Sequence, residues 1–73
     1  MTDNQEIAMF TVKTAVKPVQ VNRGDQVKVW SSADPFDYDL GSVEDADENS
    51  ISIINDDNQL ITIDRPHRIK FGV

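Results

Sequence analysis

The sequence predicts an all-β protein, and three observations predict it. Apolar residues recur with period two, as in Ile51-Ser52-Ile53 and Ile61-Thr62-Ile63, and no window carries a 3.6-residue repeat. Turn signals cut those runs short at Asn22-Arg23-Gly24-Asp25, Asp34-Pro35 and Asn55-Asp56-Asp57-Asn58. The chain has 73 residues, room for one domain near the lower limit for folding alone. For that length, hydrophobic burial and the ordering of the chain each amount to about 110 kcal/mol, so the net stability is small. Residues 1–6 are polar and read as a flexible tail, which leaves 7–73 as a single small β domain.

The elements follow in order. Phe10, Val12, Thr14 and Val16 alternate with Met9, Thr11, Lys13 and Ala15, a half-buried strand that Pro18 should break because it has no N–H to donate. A short extended piece, Val19 to Val21, leads into the Asn22–Asp25 turn. Gln26 to Trp30 is a strand with Val27 and Val29 inward and Lys28 and Trp30 outward. Ser31 to Asp37 is a loop. Tyr38 to Asp45 is a strand whose apolar phase shifts between Leu40 and Val43, so a bulge is expected at Gly41-Ser42. Asp45 to Asn49 is a charged turn. Ser50 to Asp64 reads as a hairpin about the Asn55–Asn58 turn. Arg65-Pro66-His67 is a tight corner, and Ile69 to Phe71 supply a last short strand. The expected core is Phe10, Val12, Val27, Val29, Leu40, Val43, Ile51, Ile53, Ile61, Ile63, Ile69 and Phe71.

So many short strands are too few residues for a deep two-sheet sandwich, whereas one strongly bent sheet closed on itself buries its apolar face and its edges. The order resembles the SH3-like small barrels, of KOW and Tudor type. The residues that carry the resemblance are Gly24-Asp25 before Val27 and Val29, Gly41-Ser42-Val43, the Ile51/Ile53–Ile61/Ile63 hairpin, the one-turn corner and the strand at Ile69 to Phe71. It covers about Val19 to Val73 and implies a partly open barrel of five strands. The strand around Phe10 to Val16 is an addition to that pattern. Fold resemblance of this kind does not carry function with it.

Charge is distributed unevenly. The formal net charge is −6, and from Ser31 to Asp64 there are ten acidic residues and no Lys or Arg. The basic residues flank that stretch, and Lys13, Lys17, Lys28, Arg65, Arg68 and Lys70 would form a basic edge if the first and last strands lay together. With no cysteine, disulfides and thiolate metal sites are excluded, and a cytoplasmic location without membrane association is the expectation.

Catalytic chemistry finds little support. A nucleophile needs an adjacent base, and the single histidine, His67, sits at the Pro66–Arg68 turn. No enzyme activity, cofactor or metal is expected. Asp37, Asp39 and Glu48 imitate the spacing of a calcium loop, but Ser42 stands where that loop requires glycine. Arg23-Gly24-Asp25 matches an integrin-recognition tripeptide and is read here as turn chemistry. Trp30, Phe36 and Tyr38 gather around one loop, where they could form a contact surface for another protein. Against this stands a packing role for Trp30, covering a barrel end and meeting the N-terminal strand. The expected function is thus a non-catalytic protein-interaction module using Trp30, Phe36 and Tyr38. The alternatives are a nucleic-acid-linked role, through the basic edge or through acidic mimicry, and a structural subunit that self-associates or joins a larger assembly.

Overall fold

The computed structural model describes residues 9–72; the tail at 1–6 and the start of the domain at residue 7 lie outside the described residues. It is all-β, with seven strands: β1 (Met9–Lys13), β2 (Pro18–Asn22), β3 (Gln26–Trp30), β4 (Tyr38–Ala46), β5 (Ser50–Ile54), β6 (Leu60–Asp64) and β7 (Arg68–Phe71). They form two antiparallel sheets, the pair β1-β2 and a five-stranded sheet in the order β6-β5-β4-β3-β7.

The core lies between the sheets. Alternation puts Val27 and Val29, Val43, Ile51 and Ile53, Ile63 and Ile69 on one face of the large sheet, and all of them are buried. The small hairpin supplies Val12, Val19 and Val21, and Phe10, Ala46 and Ile61 pack at the margin. β1 crosses over β4 and β5. Its end is anchored by the Lys13 amide, which donates to the Glu48 carbonyl at 2.9 Å, and the following turn by the Ala15 amide, which donates to the Pro66 carbonyl at 3.3 Å.

The sheet does not close into a barrel, which corrects the single bent sheet expected from the sequence. β2 pairs with β1 alone and β7 with β3 alone, so the two edges face each other without a ladder. Pro18 has no N–H to offer on β2, and β7 is only four residues long. The first strand is also shorter than its apolar alternation. Thr14 ends it by donating its hydroxyl to the Lys17 carbonyl (2.6 Å) while accepting from the amides of Val16 and Lys17 (3.1 and 3.0 Å). Pro18 then opens β2 instead of merely interrupting β1.

Two expected core residues are exposed. Leu40 pairs with Lys28 and is 47 % exposed, because the alternation runs unbroken through Gly41 and the register shift falls beyond the expected Gly41-Ser42, between Val43 and Asp45. Phe71 pairs with Val27 and keeps the inward phase, but it lies at the open seam and is 48 % exposed. Val19 and Val21 take their places in the core.

Gly41 is dictated by proximity. A Cβ there would stand 2.6 Å from the Ile54 carbonyl oxygen and 2.9 Å from its carbon. Around the bulge, the Asn22–Asp25 turn is sewn to β4. The Gly24 amide donates to the Val43 carbonyl, the Val43 amide to the Asp25 carbonyl, and Arg23 Nε to the Glu44 carbonyl. Gly24 adopts φ +93°, and Asp25 turns its carboxylate back to accept from the Asn22 amide at 2.8 Å. The Arg23-Gly24-Asp25 tripeptide is thereby committed to its own turn.

The other turns use similar chemistry. Asn55 Oδ1 accepts from the amides of Asp57 and Gln59, and Asn58 takes φ 62°. Asp47 Oδ1 accepts from the amides of Asn49 and Ser50 and from the Ser50 hydroxyl. The Asn49 amide foremost, then the Ser50 hydroxyl and amide, hold its carboxyl below the usual aspartate range.

Two outcomes follow from these contacts. Gly41→Ala should lower stability by about 2–3 kcal/mol, read from the urea midpoint, because rigid backbone must move aside. For Asp47, the folded protein binds its proton less readily than the unfolded chain does. Its contribution is therefore present above the usual aspartate range and is lost as pH falls through that range to the lowered folded-state value. Asp47→Asn should flatten the acid limb of a stability-versus-pH curve, and an unchanged limb would place the acid sensitivity elsewhere.

Candidate functional site: the aromatic loop and the basic face

Residues paired in register share a face of the sheet, so the outer face can be read row by row. One row holds Tyr38, Trp30 and Arg68, and the next holds Leu40, Lys28 and Lys70. This face is opposite the core, and Trp30 lies on it as its phase requires. Even so, Trp30 is only 5 % exposed.

Its burial comes from the loop and from neighbouring side chains, not from the N-terminal strand. Trp30 Nε1 donates to the Pro35 carbonyl at 2.9 Å, which draws the loop across the indole. The Tyr38 ring centre is 5.4 Å away at a tilt of 54°. The Arg68 guanidinium carbon stands 4.0 Å from the indole centre, and Lys28 Nζ lies 4.7 Å from the Tyr38 ring and 5.8 Å from the Trp30 ring. The indole is therefore a pillar, and no bare face of it is left to stack on a ligand.

The loop itself is tightly determined. The Asp37 amide donates to the Asp34 carbonyl, the Ser31 amide to the Asp37 carbonyl, and Ser32 Oγ to the Asp37 carboxylate at 2.9 Å. Asp34 caps the tip, its Oδ1 accepting from the Phe36 amide at 3.0 Å. The result is a Phe36 side chain that is 86 % exposed on an ordered turn, with a partly exposed Tyr38 beside it. Of the three aromatic candidates, Phe36 and Tyr38 are accessible and Trp30 is their support. An anchor of this kind is visible in sequence only as Pro35-Phe36 in a loop. Its projection depends on the Trp30–Pro35 hydrogen bond, which joins positions five residues apart.

The six basic candidates do not form one edge. Lys28 and Lys70 face each other across β3 and β7 with Arg68 in the adjoining row, a compact cationic face. Lys17 approaches the same area from the other sheet, where it and Lys70 line the seam between β2 and β7. Lys13 is at the far side, 3.4 Å from the Glu48 carboxylate, in the one ion pair among the described residues. Arg65 occupies the corner after β6 with φ 50°, its amide donating to the Asn49 carbonyl. Basic residues gather because β7 pairs with β3, not because the first and last strands meet.

The carboxylates are likewise dispersed. Asp37 is engaged by Ser32 and Glu48 by Lys13, and among the described residues no three ligating side chains converge on a point that could hold a metal ion. The described residues contain no helix long and apolar enough to cross a membrane. Comparison with protein-family models, curated proteins and solved structures finds no match to this chain.

Trp30→Phe keeps an aromatic ring but removes the indole N–H and part of the buried ring area. It should cost about 1 kcal/mol and speed amide hydrogen exchange at Ser31 and Asp37, whose bonds close the loop. Unchanged exchange at both would mean that the loop holds its shape without the indole.

Proposed function

We propose that this chain is a non-catalytic protein-binding module whose contact surface is the Phe36 loop tip with Tyr38, bordered by Lys28, Arg68 and Lys70. The observation that carries the reading is Phe36, a large apolar side chain almost wholly in solvent on a loop with five internal bonds and a fixed root at Trp30. Exposed aromatics on rigid supports make effective binding anchors, since little conformational freedom remains to be lost when a partner closes over them. The cationic border would favour a partner with acidic groups around its apolar pocket. The SH3-like kinship belongs to the same proposal. It is supported by the succession of short hairpins and the sharp corner at Arg65–His67, in a form whose sheet stays open.

A nucleic-acid role draws on a separate observation, the Lys28–Lys70 pair, two like charges set opposite each other with no acidic neighbour in register. Two features weigh against it. The Trp30 indole already carries Arg68 on its face, and the chain as a whole has a net charge of −6.

Affinity capture from a native lysate separates these readings. Phe36→Ser should leave the unfolding midpoint almost unchanged, within about 0.5 kcal/mol. It should also lose partners that the unaltered protein keeps at high salt and after nuclease treatment. Capture that survives Phe36→Ser but is abolished by nuclease or by Lys28→Glu with Lys70→Glu would transfer the function to the basic face. No Phe36-dependent partner under any condition would remove the proposal.

A further inference from the structure

The seam where the sheet fails to close lies apart from the Phe36 loop and shares only Lys70 with the surface proposed there. Lys17, Pro18, Val19 and Gln20 of one sheet and Ile69, Lys70 and Phe71 of the other line a groove of about 400 Å³. Among the described residues, neither wall pairs with a further strand. The Gly72 amide donates to the Gln26 carbonyl at 2.9 Å, and hydrogen-bonded pairs alternate along an antiparallel ladder. Lys70 and Arg68 therefore spend their backbone groups on β3, and the N–H and C=O of Ile69 and Phe71 point into the groove. On the opposite wall, the Lys13 amide is turned away from β2 toward Glu48, which makes Val12–Val19 and Phe10–Val21 the bonded pairs. The backbone groups of Gln20 then face outward as well. No partner for the backbone of Ile69, Phe71 or Gln20 occurs among the described residues outside their own ladders.

The groove has the chemistry of a missing strand, with outward-facing backbone groups on both walls. The apolar surface of the groove comes mainly from Phe71, half-exposed in the inward phase, with the buried Val19 and Ile69 behind it. The charged residues of the lining are Lys17 and Lys70, and no carboxylate lines it. We propose that the seam accepts an extended acidic segment of another protein, in which apolar and acidic side chains alternate, added as a strand against β7. Apolar side chains of that segment cover Phe71, and its carboxylates lie along Lys17 and Lys70. A second copy of this chain is a poorer occupant, because pairing two β7 edges would bring Arg68 and Lys70 of both copies together.

The test uses the full chain and an end-capped heptapeptide of alternating glutamate and valine. Amide hydrogen exchange and chemical shifts are followed during titration. Binding should slow exchange at Ile69, Phe71 and Gln20, and it should leave the Phe36 loop unchanged. The same peptide N-methylated at its three valines keeps its charge but cannot pair as a strand, and it should bind at least about tenfold more weakly. Lys17→Glu with Lys70→Glu, both at exposed positions, should weaken binding by about tenfold while the protein remains folded by circular dichroism. Equal affinity for the N-methylated peptide would overturn the strand and leave only charge attraction. Protection confined to β6 or to the Phe36 loop, or protection that rises with protein concentration in the absence of peptide, would also overturn the assignment. So would an absence of any binding.

Discussion

Ile51 and Ile53 are completely buried although the five-stranded sheet is only one layer thick, and what buries them is the β1-β2 hairpin. The rest of the structure depends on this face-to-face contact. A single sheet presenting Val27, Val29, Val43, Ile51, Ile53, Ile63 and Ile69 to water could not compensate for the entropy of ordering so short a chain. The hairpin is held in position at its turn end by the Lys13–Glu48 and Ala15–Pro66 backbone bonds, and Val12, Val19 and Val21 complete the core. Gly41 lets β4 and β5 approach closely beneath it.

A two-stranded cover on a five-stranded sheet leaves an imbalance at the edges. β2 and β7 meet without pairing, and their free backbone groups would invite indiscriminate association if nothing guarded them. Pro18 removes one donor, while Lys17 and Lys70 place positive charge on both rims. Such guards repel like edges.

The outer face shows how burial can arise away from a core. Trp30 has no layer above it, yet loop, tyrosine, lysine and arginine together exclude water from its indole. The same arrangement neutralises much of the unfavourable proximity of Lys28 and Arg68 by placing both cations against aromatic faces. It also ties the internally bonded acidic loop to the sheet, with Phe36 left in solvent at its tip.

The sequence by itself determined the all-β class, the position of every strand to within a few residues, the turns at Asn22–Asp25 and Asn55–Asn58, and most of the core. These follow from local rules, namely side-chain alternation and the backbone demands of Gly, Asn, Asp and Pro. It also brought Trp30, Phe36 and Tyr38 to one loop, since they are close in the chain. Only the tertiary structure decided which of them is buried, because that depended on Arg68 arriving from β7. The location of the bulge, between Val43 and Asp45, and the outward phase of Leu40 were likewise seen only in the strand pairing. Whether the sheet closed was decided by the reach of β2 and β7. Alternation states which side of a strand is apolar, but it is silent on which strand lies beside it.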